Sequence, residues 1–330
     1  MTDFSPADSR PSAVPPSPAA APSATGGLID PHRIVDAIEL VLKGQRDAVE
    51  LAVITLLAQG HLLIEDVPGV GKTTLATALA KAIDTTVARI QFTPDLLPSD
   101  IVGVSIYRPQ TSTFEFAPGP IFANIIVADE INRASPKTQS ALLEAMQEEQ
   151  VTVDGRTYRL KDPFMVIATQ NPLEMEGTYP LPEAQRDRFM VRLSLGYPAY
   201  ADEVAMLDSQ ELSDPLQALA PAATAQQVSA LVAAARSLHA AEAIKQYIVD
   251  LADATRRLPG VRLGASPRSG IQLLRAAKAA ALLAGRRYVV PDDVQHMLRY
   301  VWGHRLIQTG QTNRSTDELL HDLVGRVKVR

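Results

Sequence analysis

Residues 61–74 read HLLIEDVPGVGKTT: a short apolar strand over 62–64, a glycine-rich turn over 68–71, and a helix that opens at Lys72 and Thr73. Backbone N–H groups in such a turn point inward at a bound phosphate, and the helix N-terminus adds partial positive charge. The lysine reaches the outer phosphates while the threonine hydroxyl meets Mg2+. The stretch therefore predicts a nucleoside triphosphate cradle formed by Val67, Pro68, Gly69, Val70, Gly71, Lys72, Thr73 and Thr74.

One position departs from the general pattern GxxxxGK[ST], which places glycine where this chain has Asp66. Aspartate tolerates left-handed backbone and closes its own local turns, so the loop forms provided that the carboxylate points away from the phosphates.

With 330 residues the chain is long enough for two domains. It contains no cysteine, which excludes disulfides, thiolate zinc sites and cysteine nucleophiles, and a reducing cytoplasm is the expected setting. The 32 basic and 37 acidic residues leave a net charge of −5, so no global electrostatic pull toward nucleic acid is expected. No apolar run approaches the roughly 18 to 20 residues that span a bilayer. The first ten residues, MTDFSPADSR, lack the charged-then-apolar order of a signal peptide. A soluble, cytoplasmic protein without membrane insertion is predicted.

Residues 1–28 are dominated by Pro, Ala and Ser and predict a flexible tail, because few large apolar side chains are available to offset the ordering entropy. Over 29–59 the spacing of Ile34, Ile38, Val41, Leu42, Val49, Val53, Ile54 and Leu57 predicts two amphipathic helices broken at 43–45. Gly44 and Gln45 in that break either meet a base edge or simply join the helices. After the cradle helix, VARIQF (87–92) reads as a second strand. Residues 101–118 read as an inserted element in which 113–116 alternate like a hairpin strand.

NIIVADE (124–130) is a strand that delivers Asp129 and Glu130 at its C-terminal end, where open α/β sheets bind ligands. Asp129 is assigned to the Mg2+ shell, largely through water, together with Thr73. Glu130 is assigned to orienting or activating the attacking water. VTVDGRTYRL (151–160) predicts a hairpin turning at Asp154 and Gly155, with Arg156 near its tip. FMVIATQNP (164–172) is a fourth strand; Asn171 at its end either holds the attacking water or forms the turn before Pro172. LPEAQRDRFMVRLSL (181–195) is a short helix and a fifth strand over 190–195, with Arg186 and Arg188 close together.

Beyond 197 an Ala- and Leu-rich helical pattern predicts a second, all-helical domain over 198–330, following a nucleotide-binding core over 29–197. Within it Ser266 and Pro267 open a helix, which puts Arg268 in the first turn, against the helix dipole. That placement suits a guanidinium with a phosphate to bind, or a solvated arginine.

EDVPGVGKTT (65–74), IIVADEINRA (125–134), ATQNP (168–172), PEAQRDRF (182–189), SPRSG (266–270) and VPDDV (290–294), in this order, resemble the MoxR-type AAA+ ATPases, the branch with an insert in helix 2. The resemblance implies an α/β fold: a P-loop AAA+ core with a five-stranded parallel sheet, followed by a small helical lid. It implies ATP and Mg2+ as ligands, bound between core and lid, and an ATP-promoted ring of identical subunits, usually a hexamer. Asn171 then matches the sensor near the γ-phosphate, Arg268 the lid sensor arginine, and Arg188 the arginine finger offered to a neighbour. Arg186 stands where an apolar residue is expected, which leaves open which of the two arginines crosses the interface. The implied activity is ATP-driven, chaperone-like remodelling that matures or activates a client protein, with a partner carrying a von Willebrand factor A domain. The alternatives are a DNA-directed motor, against which the acidic balance speaks, and a nucleotide-gated assembly module with little turnover.

Overall fold

A computed structural model describes residues 28–67, 69–171, 178–212, 214–309 and 314–329, with the backbone alone for 208–212. The predicted tail, apart from Leu28, and Pro68 of the cradle lie outside the described residues.

Two helices precede the first strand: α1 (His32–Glu39) and α2 (Arg46–Leu57). α1 buries Ile34, Val35 and Ile38 on one stripe. Arg46 ties the pair together by bonding Asp36, Glu39 and Glu50. α2 is buried almost all round because later helices close over its outer side.

Strand β1 (Leu62–Glu65) runs into helix α3 (Lys72–Ala82) and strand β2 (Val87–Gln91). Helix α4 (Pro98–Val102) leads into the hairpin β3 (Gly103–Arg108) and β4 (Thr113–Pro118), which pair antiparallel over their whole length. Strand β5 (Ile125–Asp129), helix α5 (Pro136–Glu148), a second hairpin of β6 (Gln150–Val153) and β7 (Arg156–Arg159), strand β8 (Met165–Gln170), the short α6 (Glu183–Arg186) and β9 (Val191–Leu193) complete the core. The β6–β7 hairpin turns at Asp154 and Gly155, both at positive φ, as an Asp-Gly pair between alternating residues dictates.

Five strands form one parallel sheet in the order β2-β5-β8-β1-β9. Side chains alternate across it. Leu62, Ile64, Val127 and Ile167 face one apolar cluster with α1, α2 and α3, while Leu63, Ile126, Val166 and Ala168 face another with Ile101, Leu142 and Met146. Both faces of β5 and of β8 are covered, which is why they read as unbroken apolar runs. The fifth strand is shorter than predicted, since β1 offers partners for Val191–Leu193 alone and Gly196 turns the chain at φ +65°.

The rest of the chain comprises α7 (Tyr200–Leu212), α8 (Pro215–Ala218), α9 (Ala225–Ser237), α10 (Glu242–Arg256), β10 (Val261–Leu263), α11 (Pro267–Leu283), α12 (Pro291–Trp302), β11 (Ile307–Gln308) and α13 (Thr316–Arg326). β10 and β11 pair antiparallel, so this region is not wholly helical. α11 packs on α2 and α9, and α12 packs against β9, extending the α1–α3 cluster without a break. Among the described residues no helix is long and apolar enough to cross a membrane.

Candidate active site

β1 lies between β8 and β9, successive strands of the sheet that fall on opposite sides of it, while the chain leaves β1 for β2 at the far edge, and such a switch point opens a crevice at the C-terminal strand ends. The cradle loop sits there. Gly69 and Gly71 adopt φ +88° and +93°, a region that side chains resist, and Gly71 hands the chain to Lys72 at the first turn of α3. Lys72 Nζ donates to the Asp66 carbonyl at 2.7 Å. Burial lowers the Lys72 pKa, opposed by the nearby carboxylates of Asp66, Asp129 and Glu130.

Asp66 meets the condition that its sequence position imposes. Its carboxylate turns away from the loop interior: Oδ2 accepts from Ser194 Oγ at 2.8 Å and from Gly196 N at 2.7 Å, and Oδ1 accepts from Val67 N at 2.8 Å. Burial pushes this carboxyl upward, yet the hydrogen bonds from Gly196, Ser194, Val67 and Leu195 together hold it below the usual range. The residue that breaks the general pattern thus anchors the loop to the exit of β9.

Asp129 and Glu130 arrive from β5. Asp129 is buried; its Oδ1 accepts from Thr169 Oγ1 at 3.2 Å, and Thr73 Oγ1 lies 3.4 Å from its Oδ2. Glu130 is held at φ +57°, an uncommon backbone for a residue with a side chain, and its N–H donates to Thr169 Oγ1 at 3.0 Å. Asn171 is buried one residue beyond β8, whose Gln170 pairs with Glu65 of β1. Lys72, Thr73, Asp129, Glu130 and Asn171 therefore meet at one edge of the sheet.

Two further residues of this edge, Arg89 and Gln91, escaped the sequence analysis. Arg89 Nε lies 2.6 Å from Asp129 Oδ2, and Gln91 Nε2 donates to Glu130 Oε2 at 3.0 Å, beside Arg133 at 2.8 Å. The guanidinium shows that Asp129 Oδ2 accepts a cation beside the Thr73 hydroxyl. One carboxylate and one hydroxyl fit Mg2+, which binds few protein groups and keeps its waters and phosphate oxygens.

A cavity of ≈ 410 Å³ adjoins the cradle, lined among others by Leu42, Gln45, Gly71, Thr74, Pro198 and Met206. Its apolar walls suit a planar base. Gln45 lines it and Gly44 does not: Gly44, at φ +71°, leaves room for Asp202, whose Oδ2 would lie 2.2 Å from an added Cβ.

Arg188 and Arg268 lie elsewhere. Arg188 donates to the Leu143 carbonyl, and Arg268 Nε stands 3.9 Å from Asp187 Oδ2. Asp187 is gripped at 2.7 Å by Arg305, a buried cation lowered to about 10 by burial against the attraction of Asp187. This group adjoins Met190, whose N–H bonds the carbonyl of His61, ahead of β1 and β9. The cradle follows β1, so a strand length of about 13 Å separates them. The cavity beside the cradle lies between core residues and Pro198, Met206, Asp214, Pro215 and Leu216 of the region expected to form the lid, whereas α11, which carries Arg268, packs on α2 and α12 packs on β9.

The sheet order, the glycine turn with Lys72 and Thr73 at its switch point, and the paired acids one strand away define a P-loop ATPase with a helical lid. Two family models match: the ATPase family associated with various cellular activities (AAA) over residues 61–191, and the AAA lid domain over 253–323. The chain is 54% identical over 275 residues to YeaC of Bacillus subtilis, covering 83% of this chain and 86% of that one. It is 42% identical over 288 residues to chaperone MoxR1 of Mycobacterium tuberculosis, covering 84% and 76%. A crystal structure of a Cytophaga hutchinsonii protein superposes with a TM-score of 0.84 at 38% identity, covering 91% of this chain and 94% of that one. The chain belongs to the MoxR-type AAA+ ATPases, chaperone-like enzymes that bind nucleotide and hydrolyse ATP.

Proposed function

We propose that this chain binds MgATP on the loop before Lys72 and uses its cleavage to remodel a client protein within a ring of identical subunits. The observation that carries the reading is the convergence of Lys72, Thr73, Asp129, Glu130 and Asn171 on the C-terminal ends of β1, β5 and β8. Backbone N–H groups of the cradle and Lys72 hold the phosphates, and Gln45 with the walls of the adjoining cavity holds the base. Asp129 and Thr73 hold Mg2+, which neutralises charge on the transferred phosphate when bound. Glu130 takes the proton of the attacking water, and Asn171 orients that water from the strand between β5 and β1. Water attacks the γ-phosphorus, the bond to the bridging oxygen breaks, and ADP leaves with inorganic phosphate.

The separation of Arg188 and Arg268 from the chain's own cradle supports a ring, probed as a hexamer, in which these arginines face a neighbour's nucleotide. A partner with a von Willebrand factor A domain and a client to be matured or activated complete the reading, supported by membership of the family. ATP turnover of the wild type and of Glu130→Gln tests the hydrolytic role: a loss of at least about a hundredfold is expected, and equal turnover overturns it. Turnover stimulated by a von Willebrand factor A domain protein supports that partner, and unchanged turnover without complex formation removes it.

A further inference from the structure

Asp129 and Glu130 are consecutive residues, and an unbroken strand would send their side chains to opposite faces of the sheet. β5 ends at Asp129, and Glu130 takes φ +57° and ψ +49°, so the alternation stops between them. A residue with a Cβ resists this left-handed backbone, and it persists only where neighbouring structure holds it.

Thr169 supplies that hold. It lies near the end of β8, the strand paired with β5, one register step beyond Ala128 and Ala168. Met165 and Ile167 face the same apolar cluster as Ile125 and Val127, so Thr169 and Asp129 continue those two rows toward the cradle helix α3. Thr169 is 2% exposed, and its Oγ1 accepts from the Glu130 N–H at 3.0 Å while donating to Asp129 Oδ1 at 3.2 Å.

The partners dictate the residue type. A backbone N–H only donates and a carboxylate only accepts, whereas a hydroxyl has one proton and two lone pairs and serves both at once. The branched Cβ of threonine also restricts χ1, which keeps the hydroxyl on the two acids.

Each acid gains something different. On Glu130 the bond is to the backbone, so it fixes the turn from which the carboxylate reaches Gln91 and Arg133. On Asp129 it occupies Oδ1, which leaves Oδ2 beside Thr73 Oγ1 and Arg89. One hydroxyl thus sets the direction of the water-activating acid and selects the carboxylate oxygen left for Mg2+.

We infer that Thr169 is a positioning residue for ATP hydrolysis, acting through Glu130 and Asp129 without touching the nucleotide, a role that rests on the hydrolytic reading of Glu130. Asn171, two residues further on, is assigned to the attacking water. Thr169 spends its hydroxyl proton on the protein instead.

The test compares Thr169→Val, which keeps the branched shape and removes the hydroxyl, with Thr169→Ser, which keeps the hydroxyl and removes the methyl. In nucleotide-free protein, hydrogen exchange of the Glu130 amide should be at least about tenfold faster in Thr169→Val and close to wild type in Thr169→Ser. With ATP, kcat should fall at least about tenfold in Thr169→Val while Kd for ATP, from fluorescent-nucleotide titration, stays within about twofold; Thr169→Ser should stay within about threefold of wild type in both.

Wild-type exchange or wild-type kcat in a folded Thr169→Val overturns the positioning role, and so does a Thr169→Ser as slow as Thr169→Val. A loss of ATP affinity as large as the loss of kcat overturns it too, because it marks a cradle that has lost its shape. If Thr169→Val does not fold, Thr169→Ala against Thr169→Ser makes the same comparison. Glu130→Gln separates the two levels: retained turnover there defeats the hydrolytic reading, whereas lost turnover there beside wild-type turnover in Thr169→Val defeats the role of Thr169 alone.

Discussion

Arg89 Nε lies 2.6 Å from Asp129 Oδ2, and two residues further along the same edge strand Gln91 holds Glu130. A strand presents every second side chain on one face, so a single register of β2 against β5 places a cation on one acid and an amide on the next. Asp129 Oδ2 is thereby shared between a tethered guanidinium and the Mg2+ proposed for this site.

Removing the competitor should favour the metal. In Arg89→Ala the Mg2+ concentration for half-maximal ATP turnover is expected to fall several-fold, read from a Mg2+ titration at fixed ATP. Arg89 is 59% exposed, so the pair contributes little to folding, at most about 1 kcal/mol, and the melting temperature should move little. An unchanged or raised Mg2+ requirement contradicts competition.

Asp66 gives a stability prediction. Asp66→Ala strands the Val67 and Gly196 N–H groups and the Ser194 hydroxyl, at a cost of about 1–3 kcal/mol. Nucleotide affinity should fall with it, since the residue fixes the loop that carries Lys72. Denaturant unfolding and fluorescent-nucleotide titration check both. Wild-type behaviour in Asp66→Gly, the residue of the general motif, would show that the anchor is dispensable.

Acid should destabilise the fold through its buried histidines. His61 bonds the Met146 carbonyl through Nε2 and accepts from Val166 N, and burial first, then the nearby Arg268, push it down to about 4. His304 lies well below its ordinary value, by burial and then by Arg305. Both pKa values are depressed in the folded state, so the unfolded chain takes up protons first as pH falls. Stability present above pH 6.5 is lost between 6.5 and about 4, with about 2 kcal/mol gone at pH 5 from His61 alone. Urea midpoints at pH 7 and pH 5 should differ less in His61→Gln than in wild type; an equal difference contradicts the assignment.

The sheet and the cradle were legible because parallel strands buried on both faces leave unbroken apolar runs, and the turn between Ile64 and Lys72 leaves a glycine signature. The β6–β7 hairpin was equally plain in its Asp-Gly turn. Arg89 and Gln91 were not read because polar residues at alternate positions of VARIQF are what any exposed edge strand carries, and only the pairing of β2 with β5 brings them to Asp129 and Glu130. Placing Arg268 far from Lys72 required the tertiary packing of α11 on α2, for which a helix sequence alone carries no address. The β10–β11 pairing joins three residues to two across a long separation, too little pattern to rise above a helical background.

The most direct test of the account is ATP binding and turnover by Lys72→Ala, whose melting temperature is first shown to match wild type. Loss of the ammonium that reaches the outer phosphates should weaken ATP about tenfold to a hundredfold and bring turnover down to background. Undiminished affinity and turnover would contradict a triphosphate seated on this loop.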